Sequence, residues 1–144
     1  MKKWFTLLLA LLLVMGVVSA SAQTVSCSDG GFSLTLPDSF GKISTKKDDP
    51  ELKLHYNDGS IDMCVYVSFS GNSSIDFQVN SSSSSVTFSG KKMNCEYNTD
   101  NDHPCVIYSW SSSGNAINIY FVWYGEDAAA QEVIDSIMSS ITFN

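Results

Sequence analysis

Over most of the chain apolar and polar residues alternate singly. Phe32, Leu34 and Leu36 are separated by Ser33 and Thr35 up to Pro37, the two-residue period of a half-buried strand that a proline stops. Leu52, Leu54 and Tyr56 alternate in the same way with Lys53, His55 and Asn57. Asn57-Asp58-Gly59 then supplies turn chemistry. Ile61, Met63, Val65, Val67 and Phe69 follow as the longest regular alternation in the chain. Together they predict a hairpin. Residues 70–85 break the pattern with Gly71, Asn72 and the serine run Ser81–Ser85, leaving Ile75, Phe77 and Val79 as apolar anchors; the segment reads as a Ser-rich loop. Four further strands are predicted near Val86–Ser89, Lys92–Tyr97, Pro104–Ser111 and Ala116–Tyr124. Their connections are Gly90-Lys91, an Asn/Asp-rich loop over Asn98–His103, and Ser113-Gly114-Asn115. Short turns between successive strands imply an antiparallel meander.

At both ends the period changes. Ala130, Val133, Ile134, Ile137, Met138 and Ile141 recur at three- and four-residue steps behind Glu126 and Asp127. That is one apolar helix face, with acids at the positive end of the dipole. Such a face has to be buried, and the sheet is the available partner. At the other end, Lys2 and Lys3 precede a largely apolar run over Trp4–Val18, and Ala20-Ser21-Ala22 offers small residues for cleavage. These features predict a secretory signal peptide over residues 1–22, with processing after Ala20 as the alternative cut. The apolar run falls short of the roughly 18 residues a membrane span requires. The expected organisation is therefore a leader over 1–22 and one α+β domain over 23–144. That domain is an antiparallel meander sheet with an amphipathic C-terminal helix on one face.

Composition narrows the partners. The chain has 144 residues, eight lysines, no arginine and a mean hydropathy of +0.02. This is the length of a single domain with a real core. Loss of the leader takes two lysines and no acid, leaving six lysines against 15 acids, a net charge of −9. A chain so acidic and without guanidinium groups is unsuited to nucleic acid or to anionic lipid. No stable membrane association is expected once the leader is removed.

Three segments carry a resemblance. Leu36-Pro37-Asp38 closes the first strand. Ile119-Tyr120-Phe121-Val122-Trp123 ends the meander, and the helix closes with Ile137-Met138-Ser139-Ser140-Ile141-Thr142-Phe143. In pattern and order, residues 29–144 resemble the PsbP-like superfamily of small exported or lumenal α/β/α sandwich domains. The resemblance implies an extracytoplasmic accessory or binding protein without enzymatic chemistry or cofactor. Such folds cover both sheet faces with helices, whereas Phe40–Pro50 and Gly71–Ser85 carry no helical period. A second helical layer is accordingly not predicted.

Candidate chemistry is sparse. Four cysteines, at 27, 64, 95 and 105, form an even count that in an exported chain predicts a disulfide framework. Cys95 and Cys105 flank the Asn98–His103 loop and are expected to bridge one hairpin, leaving Cys27 for Cys64. Asp100 and Asp102 are candidate calcium ligands, although EF-hand spacing is missing and Asn/Asp clusters are ordinary turn chemistry. With Gly114-Asn115 as a two-residue turn, Ser113 pairs with Ala116. Val106, Tyr108 and Trp110 then share the helix-side face with Ile119, Phe121 and Trp123. Ile107, Tyr120, Val122 and Tyr124 point outward, joined by Tyr97 if the two cysteines are opposed. This outer face is a candidate surface for a protein, peptide or glycan, unless residues 71–85 lie over it. The motifs G-x-S-x-G and H-E-x-x-H and a Gly-rich phosphate loop are lacking, and His55, His103 and Asp58 sit at strand edges or turns. The sequence therefore reads as a non-catalytic secreted or cell-envelope accessory protein. The alternative is a small secreted hydrolase using surface carboxylates.

Overall fold

The computed structural model describes residues 21–45, 48–69 and 82–144. Residues 1–20 of the expected leader and residues 70–81 of the expected loop lie outside the described residues. The strands are β1 (Ala22–Cys27), β2 (Phe32–Pro37), β3 (Gly41–Lys42), β4 (Leu52–Asn57), β5 (Ile61–Ser68), β6 (Ser82–Phe88), β7 (Lys91–Asp100), β8 (His103–Ser112), β9 (Asn115–Trp123) and β10 (Thr142–Phe143), with helix α1 at Asp127–Ser139. They form a seven-stranded antiparallel sheet in the order β3-β4-β5-β9-β8-β7-β6 and a three-stranded sheet in the order β1-β2-β10. The α+β architecture agrees with the sequence reading.

The meander from β6 to β9 rests on three two-residue turns. Phe88 pairs with Lys91, Asp100 with His103 and Ser112 with Asn115. Both residues of each turn have positive φ: Ser89 and Gly90, Asn101 and Asp102, Ser113 and Gly114. This is the type I′ geometry, whose twist matches that of the strands it joins. The predicted turns were thus misplaced, with unequal consequences. At β8–β9 the turn is Ser113-Gly114 rather than Gly114-Asn115, which slides the pairing by two positions and leaves every side chain on its predicted face. Val106 meets Phe121, Tyr108 meets Ile119 and Trp110 meets Ile117. At β7–β8 the tight turn at Asn101-Asp102 replaces the expected six-residue loop. Cys95 now pairs with Tyr108, and Cys105 with Asn98. Relative to a Cys95–Cys105 pairing this is an odd displacement, and an odd displacement exchanges the two faces.

One other expectation is corrected: Ser82–Ser85 belong to edge strand β6 rather than to a loop, paired with Asn94–Tyr97. Strand β1 begins at Ala22, which pairs with Pro37. The β4 alternation also breaks: Leu52 pairs with Tyr66 but Leu54 with Val65. This irregularity turns Leu52 to the outer face while Leu54 stays with the main core, the usual effect of a bulge.

The main core lies between one face of the large sheet and a layer made of α1 and the small sheet. Met63, Val65, Val67, Tyr108, Ile117, Ile119 and Phe121 meet Phe32, Leu34 and Leu36 from the small sheet and Ile134, Ile137 and Met138 from α1. Phe32 and Phe143 both pack edge-on against Trp110, with centroids 5.3 and 5.8 Å away. Polar ties fix the helix at both ends. Trp123 Nε1 donates to Asp127 Oδ1 at 2.7 Å, and Ser140 Oγ accepts from Thr35 N at 2.8 Å while donating to Ile137 O at 2.6 Å. Among the described residues α1 is the sole helix, and none is long and apolar enough to cross a membrane.

Candidate functional site

Pairing across the large sheet builds its outer face row by row. Glu96, Ile107, Tyr120, Cys64 and His55 are successive partners in one row, on β7, β8, β9, β5 and β4. The neighbouring row holds Asn98, Cys105, Val122, Asp62 and Asn57. Cys64, Cys105, Ile107, Tyr120 and Val122 form a second buried cluster, with Leu52 and Tyr66 packed against it. The predicted outward set Ile107, Tyr120 and Val122 is on the predicted face, but each is no more than 8% exposed. Tyr124 is 52% exposed, with its ring edge-on to His103 at 4.5 Å between centroids. Tyr97 is on the opposite face, paired with Val106, and its hydroxyl donates to Gln131 Oε1 of α1 at 3.3 Å. Of the candidate outward set on this face, Tyr124 is the exposed member, and Ile107, Tyr120 and Val122 are buried.

The cysteines obey the same register. Cys27 and Cys95 belong to the helix-side core, Cys64 and Cys105 to the outer cluster. Both expected bridges, Cys95–Cys105 and Cys27–Cys64, would have to cross the sheet, and all four thiols are free and buried. A cystine demands Cβ atoms about 4 Å apart, which side chains on opposite faces of a sheet do not offer. Burial pushes the Cys27, Cys95 and Cys105 thiols above their ordinary value. Burial, then the nearby Asp62 charge, pushes Cys64 up to about 12.

Asp100 and Asp102 lie at the β7–β8 turn. Asp100 Oδ2 accepts from the Tyr120 hydroxyl at 2.7 Å, and its Oδ1 accepts from Asn101 Nδ2 at 3.0 Å. Asp102 is an exposed turn residue with φ of 68°. The Asp100 carboxylate serves the turn and its anchor. Asp58 is likewise committed, its Oδ1 accepting from the backbone amides of Ser60 and Ile61 at 2.8 and 2.7 Å.

The β4–β5 hairpin makes a cluster that the sequence reading passed over. His55 and Cys64 are directly opposed, and Asp62 is two residues before Cys64 on the same face. His55 Nε2 is 2.7 Å from Asp62 Oδ1, both side chains being about three-quarters buried at 22% and 24% exposure. One ring nitrogen of His55, a carboxylate oxygen of Asp62 and Cys64 Sγ all lie within 4.8 Å of one another. The signal was present. Once Asn57-Asp58-Gly59 is read as the turn and Asn57 is paired with Asp62, residue 55 falls opposite residue 64 on the face away from Met63 and Val65. Burial of the Cys64 thiol, which raises it to about 12, favours the protonated form over a nucleophilic thiolate.

No family model matches the sequence, and no curated protein matches it. Solved structures do. The solution structure of cyanobacterial PsbP (CyanoP) from Synechocystis sp. PCC 6803 aligns over 90% of this chain and 96% of its own, with a TM-score of 0.61 at 16% identity. A crystal structure from Bacteroides thetaiotaomicron VPI-5482 aligns over 85% of this chain with a TM-score of 0.53 at 11% identity, this chain spanning about half (48%) of it. At such identities the likeness concerns the backbone alone, and it runs nearly end to end: this chain has a PsbP-like α+β fold.

Proposed function

We propose that this chain is a non-catalytic accessory or binding protein working outside the cytoplasm, its partner a protein, peptide or glycan. The observation that carries the reading is the match to PsbP over nearly the whole of both chains. The leader-like residues 1–22 support export, and the acid excess disfavours polyanionic partners. Against the hydrolase alternative, the Asp58 and Asp100 carboxylates are taken up in turn and anchor hydrogen bonds.

The test expresses the full chain with a C-terminal tag in a bacterium with an export pathway, followed by fractionation and N-terminal sequencing. Recovery outside the cytoplasm with a new N-terminus at Ser21 or Gln23 is expected. An intact Met1 on a cytoplasmic product overturns the export half. Cross-linking in the native envelope is expected to yield one reproducible partner. Hydrolytic turnover that disappears with His55→Ala would sink the non-catalytic half.

A further inference from the structure

We infer that His55, Asp62 and Cys64 form a binding site for a divalent transition-metal ion, with zinc as the best chemical fit. The site is independent of the accessory reading. Its three donors come from two adjacent strands joined by the Asp58–Ser60 turn, and β5 is paired on both sides within the large sheet. The backbone beneath the donors is thus held in place before any ion arrives, which keeps the ordering cost of binding low.

Geometry supports one ion. A tetrahedral zinc with bonds of about 2.0–2.3 Å holds its donors about 3.3–3.7 Å apart. Here the donors lie within 4.8 Å of one another, and the closest contact, His55 Nε2 to Asp62 Oδ1, is 2.7 Å. Binding opens that contact and draws the thiol in. Imidazole, carboxylate and thiolate together suit zinc or its close neighbours. The thiolate and imidazole make a poor cage for calcium, which takes six to eight oxygens. His55 and Asp62 are part-exposed above a buried Cys64. An ion therefore enters from the solvent side, and a fourth position is left for water, as in sites with three protein ligands. As the sulfur–metal bond forms, the S–H bond breaks and its proton passes to solvent. Among the described residues no other three His, Cys, Asp or Glu side chains converge in this way.

The experiment titrates reduced, metal-stripped protein, purified from expression of the full chain, with cobalt(II) chloride and then displaces the cobalt with zinc chloride. A thiolate-to-cobalt charge-transfer band saturating at one equivalent, and abolished by zinc, is expected. Cys64→Ser should lose the band, and Cys105→Ser, altering the other outer-face thiol, should keep it. His55→Gln and Asp62→Asn, at part-exposed positions that tolerate change, should each weaken cobalt binding at least about tenfold. No band in the unaltered protein overturns the inference. So does a band that survives Cys64→Ser, or cobalt affinity unchanged in both His55→Gln and Asp62→Asn. If Cys64→Ser fails to give a folded circular dichroism spectrum, the His55 and Asp62 variants decide alone.

Discussion

Tyr120 shows how one side chain is committed from both ends. Its ring is in the outer cluster at 8% exposure, and its hydroxyl donates to the Asp100 carboxylate at 2.7 Å. Burial first, and that hydrogen bond second, push its phenol above the ordinary range. A hydrogen bond to a charged acceptor contributes about 1.5–3 kcal/mol, and its loss leaves the carboxylate short of a donor. Tyr120→Phe is therefore expected to lower stability by about 1.5–3 kcal/mol in urea denaturation at neutral pH. A change under about 0.5 kcal/mol would mean that Asp100 finds water in its place. Tyr97 differs only in parity. One odd register step carried it to the helix side, beside Gln131, where it contributes nothing to the outer face.

At the scale of elements the turns decide the faces. Ser113 and Gly114 have φ of 53° and 82°, and a Cβ at Gly114 would meet nothing within 4 Å. Its glycine is required by backbone conformation, not by space. Gly114→Ala is expected to cost about 1–2 kcal/mol from left-handed strain alone. Ser113→Asn, which supplies the residue type favoured at the first position of such turns, should add about 0.5 kcal/mol. Thermal melts of the two variants check both signs, and equal shifts in one direction would contradict the I′ assignment. The His55–Asp62–Cys64 group is also a product of a turn, since the Asn57–Asp62 pairing alone places the three donors together.

For the whole molecule the buried acids of weak strength set the alkaline limit. Burial raises the Cys95 and Cys105 thiols above 9.0 and the Tyr108 and Tyr120 phenols above 10.0. On unfolding these groups return to their ordinary values, so above pH 9.0 the unfolded chain holds fewer protons than the folded one. A raised folded value means that the stability is fully present below the unfolded value and is lost as pH rises. The urea midpoint is therefore expected to be level from neutrality to about pH 9 and to fall beyond it, more steeply above about pH 10 as tyrosines join the thiols. A midpoint still level at about pH 11 would show that these groups ionise alike in both states. Tyr120→Phe should flatten the upper part of the curve.

Much of this architecture is written locally. The alternation of Ile61 to Val67, the three- and four-residue steps of Ala130 to Ile141, and the Asn57-Asp58-Gly59 turn each report a neighbourhood of a few residues. Each reads correctly, because side-chain period and turn chemistry are properties of the adjacent backbone. The shared face of Val106, Tyr108, Trp110, Ile119 and Phe121 survived a misplaced turn because the error was even. The outer-face grouping of Tyr97 and the Cys95–Cys105 bridge did not, because theirs was odd. The long-range pairing is of another kind. It inserted β9 beside β5, left three strands between β5 and β6, and joined β10 to β1 and β2, more than 100 residues earlier. It also divided the four cysteines between two cores. Those pairings join residues remote in sequence, and they are selected by how much apolar surface the whole assembly buries, a quantity that no local window contains.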